Sequence, residues 1–184
     1  MASNTVLTFI IPLRHPQNAG DWQQVKLNLS QTIGSICRQD CNDWKAIIIA
    51  NNEADLPSIP IGFEVKRVDF PPNAKYQRGN ETLEEFYEAV RSDKGRRVLA
   101  GMLHAGSTGH FMIVDDDDFI SSRLTSFVAA HPEINGWYIR DGYIWSGCNL
   151  LYKTDYLHHI CGTTHIVRAD LYNLPSRLNR HIGT

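Results

Sequence analysis

The sequence has no apolar run approaching the ~18 residues of a membrane-spanning helix. Its first apolar stretch, Val6 to Leu13, is far shorter and reads as a strand. The opening, MASNTVLTFIIPLRHP, lacks the basic leading segment and the small-residue cleavage site of a signal peptide. The expectation is therefore a cytoplasmic protein, or one peripheral to a membrane. Cysteine is scarce. Cys37, Cys41, Cys148 and Cys161 are too few and too scattered for a disulfide framework, and with His158, His159 and His165 they match no tight zinc-finger spacing. A dominant charge is also missing. Lys and Arg total 18 against 20 Asp and Glu, a net charge of −2, so no sequence-wide basic field exists to gather nucleic acid. Internal repeats and low-complexity segments are absent too.

What remains is the composition of one globular domain. The 184 residues are 42% apolar and 21% charged, enough to bury a proper core. VLTFIIPL, at 6–13, is β-branched and nearly continuous in apolar character, as in a strand buried on both faces. Asp21 is placed to cap a helix over 22–39, with Val25, Leu29, Ile33 and Ile36 along one face. WKAIIIA, at 44–50, is a second buried strand, which completes a βαβ unit. A third strand is expected over 63–70, helices over 81–92 and 97–104, and a fourth strand over 110–114. Ser121 or Ser122 would cap a helix reaching His131, with Leu124, Phe127 and Val128 on its apolar face, and a strand would follow over 137–145. The alternation makes the class α/β. The segment after 145 carries no clear pattern.

The strand HFMIV runs directly into Asp115, Asp116, Asp117 and Asp118. Adjacent carboxylates repel, and a hard divalent cation is one compensation, because Mg²⁺ and Mn²⁺ prefer oxygen ligands. In open α/β sheets ligands bind beyond the carboxyl ends of the strands. If extended geometry persists, Asp115 and Asp117 point the same way. The competing reading is a solvated acidic turn ahead of the next helix.

Four segments in register carry a family likeness: FIIPLR at 9–14, Thr32-Ile33-Gly34-Ser35-Ile36 followed by Gln39, WKAIIIANNE at 44–53, and FMIVDDDDF at 111–119. Over roughly residues 5–130 the chain resembles family-2-type glycosyltransferases of the GT-A superfamily. The resemblance implies a Rossmann-like, mostly parallel sheet flanked by helices, in a single domain spanning 1–184. Its nucleotide-binding part would be about 5–120 and its acceptor part about 121–184, the latter short for the family. It implies transfer of a sugar from a nucleoside diphosphate sugar, UDP-sugar favoured, to a carbohydrate or other hydroxyl acceptor, with inversion and with Mn²⁺ or Mg²⁺. Pro12 and Arg14 would lie near the nucleotide, Asn51 or Glu53 at the base, Asp115 and Asp116 on the substrate, and Asp115 and Asp117 on the metal. Asn51 departs from the Asp that many relatives carry, which leaves the base open. A late histidine, His165 or His181, would complete the metal shell.

Of the cations Lys75, Arg78, Lys94, Arg96 and Arg97, Arg97 is the first choice to stabilise charge growing on the leaving diphosphate. An inverting transfer also needs a carboxylate base, and Asp141, Asp155 and Asp170 are available, with Asp170 chosen. The aromatic residues from Trp137 to Tyr156 are candidates for an acceptor site, although core packing is the commoner fate of any one of them. Two rivals follow. One is a noncatalytic nucleotide-sugar-binding module. The other is a nucleotidyltransferase, weakened because PLRHPQNAGDW shows no Gly-rich basic run after the first strand.

Overall fold

A computed structural model of the chain describes residues 5–76, 82–146 and 150–175. The first strand, β1 (Leu7–Pro12), is buried along its whole length. Parallel to it run β2 (Trp44–Asn51) and β4 (His110–Ile113), and β3 (Phe63–Val68) continues the sheet beyond β2. On the other side β8 (His165–Arg168) pairs antiparallel with β4, and β5 (Gly136–Tyr138) pairs antiparallel with β8. The six strands lie in the order β3-β2-β1-β4-β8-β5. The sheet is thus mostly parallel, flanked by helices and compatible with a Rossmann-like fold.

This order contains a switch. The chain steps from β1 outward to β2 and β3, then returns to place β4 on the other side of β1. Connections on the two sides of a switch leave a crevice at the carboxyl ends of the central strands. Here that crevice opens between the ends of β1 and β4.

The two faces of β1 explain the layers. Leu7, Phe9 and Ile11 pack with Leu29, Ile33 and Ile36 of α1 (Trp22–Ile36) and with Val128 of α3 (Leu124–Ala129). Ile10 points the other way, to Ala100 and Met102 of α2 (Leu83–Ala105). Gly101 lets α2 sit close, because a Cβ there would come within 2.6 Å of Ile49 and 2.9 Å of Ile10. Asp21 accepts hydrogen bonds from the backbone N–H groups of Gln23 and Gln24 and starts α1 as expected.

Several elements differ from expectation. The helices expected over 81–92 and 97–104 are one helix, α2. Gly95 costs helix stability, about 1 kcal/mol against Ala, but Asp93 bridges the weak point by pairing with Arg96 and Arg97, three and four residues on. The helix before His131 is shorter than expected, and its N-cap is Arg123 with no side-chain cap. Val128 is buried there, whereas Phe127 is largely exposed. The strand expected over 137–145 is two strands in different sheets. β5 closes the main sheet, while β6 (Gly142–Trp145) forms a separate antiparallel pair with β7 (Leu151–Thr154). A short helix, α4 (Leu157–Ile160), then leads back to β8. Period alone could not separate β5 from β6, since the break is only three residues, Ile139, Arg140 and Asp141.

Candidate functional site

The acidic run follows β4 at the switch-point crevice. The N–H of Val114 donates to the carbonyl of Ile10, so the two strands stay in register up to the first aspartate. The loop is held from below by α1. The Thr32 hydroxyl reaches the carbonyl oxygens of Asp116 and Asp118, at 2.9 and 3.0 Å. The Ser35 hydroxyl accepts from the N–H of Ile120. Gln39 donates to the Ser121 carbonyl and accepts from both the N–H and the hydroxyl of Thr125. The Thr-x-x-Ser and Gln pattern of the sequence is thus a clamp on the acidic loop and the segment after it.

From above, the loop between α4 and β8 completes the grip. Thr163 Oγ1 accepts the N–H of Asp115 at 2.9 Å. The Cys161 thiol donates to Asp118 Oδ2 at 3.2 Å. Sequence reasoning weighed Cys161 only as a zinc ligand and missed Thr163. The usable signal was a Cys-Gly-Thr-Thr turn directly before a β-branched stretch, which places side-chain hydroxyls at a strand entrance.

The four carboxylates are not alike. Asp115 is paired with Lys94 of α2, whose Nζ lies 2.6 Å from Oδ1 and 2.8 Å from Oδ2. Asp116 is buried, and burial pushes its carboxyl up to about 6, against the nearby Arg14 charge, which lowers it. Asp117 is exposed and makes no hydrogen bond or ion pair to another described residue. Burial raises Asp118 as well, opposed by its bonds to Thr163 and Cys161. The same burial, with Asp118 beside it, pushes the Cys161 thiol up to about 11.

Two clefts meet at this loop. One, of about 240 Å³, is lined by Pro12, Arg14, Val90, Asp93, Lys94, Arg97 and the carboxylates Asp115, Asp116 and Asp117. The other, of about 440 Å³, is lined on its polar side by Asp115, Asp117 and Asp118 and on its apolar side by residues that include Phe119, Tyr143 and Trp145. Asp115 and Asp117 belong to both walls. They therefore stand between a chamber of mixed charge and an aromatic one, although the chain does not stay extended there: it turns at Asp116 and Asp117, where the Asp118 N–H donates to the Asp115 carbonyl.

The remaining residues singled out from the sequence fall in different places. Asn51 is buried at the end of β2, where its amide N–H donates to the Phe70 carbonyl and its oxygen accepts from Arg97. Arg97 is fully buried and also forks onto Asp93. Both side chains are engaged inside the protein, although Arg97 lines the smaller cleft. Glu53 is half-exposed, 2.7 Å from the buried His15. His15 Nδ1 accepts the Gln17 N–H, so its Nε2 carries the proton donated to Glu53. Arg96 pairs with Asp93 and lies over the Phe70 ring, while Lys75 is exposed in a short 3₁₀ turn.

Asp170 is not brought to the acidic run. Arg168 pairs with His110 across the sheet, at the amino end of β4, and Asp170 follows it, bound to Arg168 Nε at 2.8 Å. The aspartates leave the opposite end of β4. At roughly 3.3 Å per strand residue, the separation is about 15 Å or more. Arg168 also holds the Asp170 carboxyl below its ordinary value, which weakens it as a base. His165 bonds Thr164 at the start of β8, and His181 lies outside the described residues, as do Arg78 and Cys148.

Among the described residues no three His, Cys, Asp or Glu side chains form a cage for a metal ion. Asp115 and Asp117 offer two carboxylates, a set that suits Mg²⁺ or Mn²⁺ only when substrate phosphates and water supply the rest of the shell. Among the described residues no helix is long and apolar enough to cross a membrane. The chain matches no protein-family model and no curated protein.

Proposed function

We propose that this chain is a metal-dependent glycosyltransferase of GT-A type, which moves a sugar from a nucleoside diphosphate sugar to a hydroxyl acceptor with inversion. The observation that carries the reading is the shared wall of Asp115 and Asp117 between two clefts at the sheet's switch point. A two-substrate transfer needs two chambers that meet at the reacting centre. The chamber lined by Arg14 and Lys94 suits a diphosphate once a divalent cation offsets its carboxylates. The aromatic chamber suits an acceptor.

Asp115 and Asp117 would hold Mg²⁺ or Mn²⁺ together with the diphosphate oxygens, and the ion would make the diphosphate a better leaving group. Lys94 sits at the same boundary and can turn from Asp115 to a phosphate oxygen, adding positive charge where negative charge develops. Arg97 then acts mainly through Asp93 and Asn51, by fixing the cleft wall. Because Asp170 lies at the far end of β4, the proton of the acceptor hydroxyl falls to a carboxylate of the aromatic cleft. Asp118 is the one there that neither pairs with Lys94 nor is needed on the metal.

The test is thermal stability with UDP, GDP, dTDP and CDP, each with and without Mn²⁺, beside Asp117→Ala. A ligand at ~100 times its dissociation constant adds about 2.7 kcal/mol. Metal-dependent stabilisation by one nucleotide, lost in the variant, supports the reading; no stabilisation by any of the four overturns it. A noncatalytic nucleotide-sugar-binding module is the second reading, favoured by the distance of Asp170 from the acidic run. It predicts the same stabilisation with no sugar transferred to any acceptor.

A further inference from the structure

We infer that a third cleft, at the amino end of the sheet, binds the phosphate monoester group of a ligand. Thr5, Lys45, Thr108, His110 and Arg168 line it, and its volume is about 510 Å³. Val6 and Gly109, also in its wall, directly precede β1 and β4. The aspartates leave the other end of β4, and no residue of this wall lines either cleft of the acidic run. The inference therefore stands apart from the transferase reading. Its first support is Lys45, a half-buried cation with no carboxylate partner among the described residues. Its ammonium donates to the Ala105 carbonyl at the end of α2, 3.3 Å away. A helix C-terminus attracts such a charge, but this bond uses one of three N–H donors. Two are left for a ligand.

The second support is the balance of charge. Among the described residues no carboxylate lines the cleft. Arg168 gives Nε to Asp170 and Nη1 to the Glu133 carbonyl, so it is neutralised, and Nη2 is left as a donor. His110 gives its Nε2–H to the Ile134 carbonyl, since a carbonyl can only accept. The charge of Lys45 is thus uncompensated, and an oxyanion in the cleft compensates it. The third support is the pair of hydroxyls. Thr5 and Thr108 line the same cleft, and neither side chain bonds another described residue. Gly109, at φ +69°, holds the Thr108 loop against β1, because a Cβ there would lie 2.7 Å from the Val6 carbonyl oxygen. Hydroxyls beside an ammonium and a guanidinium are the donors that phosphate oxygens accept. Val6, Val128 and Pro132 add apolar surface for the body of the ligand, and the volume falls in the ~300–1,000 Å³ range of small-molecule sites.

The experiment follows the amide NMR spectrum of the full chain as glycerol 3-phosphate is added, at constant ionic strength and without divalent cation. Glycerol is the control, and wild type is compared with Lys45→Met, Thr108→Val and Lys94→Met. The expected result is saturable shifts at Ser107, Thr108 and Gly109. Their midpoint should rise about tenfold in Lys45→Met, the loss of one charge-assisted contact. It should rise less in Thr108→Val and stay unchanged in Lys94→Met. The first two variants lie on different elements, which guards against a local folding defect in either one. A second arm floats the chain with vesicles of phosphatidylcholine, with and without phosphatidic acid. Shifts with the free ester assign a soluble phosphorylated ligand. Flotation that needs both phosphatidic acid and Lys45, with no response to the free ester, assigns a lipid headgroup to the same site. Response to neither overturns the inference, as do shifts that glycerol reproduces or that Lys45→Met leaves unchanged. Shifts confined to Arg14, Lys94 and the aspartates overturn it too, because they place the phosphate in the other cleft. Nucleotide binding plays no part in these outcomes, so this site and the transferase reading can fail separately.

Discussion

Lys94 Nζ lies 2.6 Å from Asp115 Oδ1, joining the middle of α2 to the first aspartate after β4. The ion pair sits on the wall of the cleft that Arg14 and Arg97 also line. Under the proposed transferase reading, lysine and metal would compete for this carboxylate until a phosphate drew the lysine away.

Lys94→Met is expected to have two opposite effects. Mn²⁺ alone should bind more tightly, because Asp115 is released. Nucleoside diphosphate in the presence of Mn²⁺ should bind roughly tenfold more weakly, which corresponds to the ~1.4 kcal/mol of one charge-assisted contact. Titration calorimetry with each ligand separates the two. Equal affinities in variant and wild type would exclude Lys94 from the phosphate site.

Thr32→Val removes the hydroxyl that serves the carbonyls of Asp116 and Asp118. Both the hydroxyl and the Asp116 carbonyl contact are buried, so an unsatisfied acceptor should cost about 1–3 kcal/mol. Urea denaturation should register that loss, and nucleotide-induced stabilisation should fall with it because the loop loses its floor. A variant that keeps wild-type stability would mean that Thr32 is not the clamp.

Arg97→Met leaves Asp93, itself buried, with Arg96 as its remaining cation. Breaking a buried pair by removing one partner costs about 3–5 kcal/mol, and the surviving Arg96 bond places the expected loss near ~3 kcal/mol. Asn51 would lose its Arg97 donor at the same time. Chemical denaturation of Arg97→Met and Arg97→Lys checks this. Lysine should rescue only part of the loss, because it cannot fork onto Asp93 while reaching Asn51.

Asp116 gives a pH signature. Burial raises its carboxyl from 3.8 to about 6 in the folded chain. The native state therefore holds that proton to higher pH than the unfolded state, and its contribution to stability falls as pH rises from 3.8 to about 6, then stays low. In the absence of divalent cation, Asp116→Asn should be more stable than wild type at pH 7.5, by up to roughly 3 kcal/mol at about 1.4 kcal/mol per unit, and equal to it near pH 3.8. Melting curves across that range test the sign. A variant less stable at pH 7.5 would mean that the Arg14 attraction outweighs burial.

Cys161 should resist alkylation. With its thiol pushed up to about 11, the reactive thiolate is scarce at neutral pH. Iodoacetamide at pH 8 should leave Cys161 unmodified by peptide mass mapping, with labelling rising sharply above pH 10. Asp118→Asn removes the carboxylate beside the thiol and should bring labelling to lower pH.

Much of the site was legible along the chain because it is local. The apolar run of β1, the Asp21 cap, the helical face of Val25, Leu29, Ile33 and Ile36, and the aspartates after HFMIV each depend on neighbours within a few residues. Their periodicity and capping chemistry are properties of the sequence itself. Strand alternation does not explain the placement of Asp115 and Asp117, because β4 ends at Ile113 and the chain turns at Asp116 and Asp117, yet both line the same two clefts.

The rest depends on contacts between distant segments. Asp170 follows a strand whose antiparallel register with β4 carries it to the far end of the sheet, and register is fixed by tertiary pairing rather than by composition. Arg97 and Asn51 are 46 positions apart, and only the packing of α2 on β2 gives them to each other rather than to a ligand. Lys94 reaches Asp115, and Thr163 and Cys161 close over the aspartates, through contacts 21 to 48 residues apart. The sequence by itself determined an α/β chain with carboxylates at the end of a buried strand, because strand and helix periods and charge runs are local. The tertiary structure alone decided which cation meets which carboxylate, which aspartate is buried, and that Asp115 and Asp117 stand between two chambers, because those outcomes depend on strand order and register.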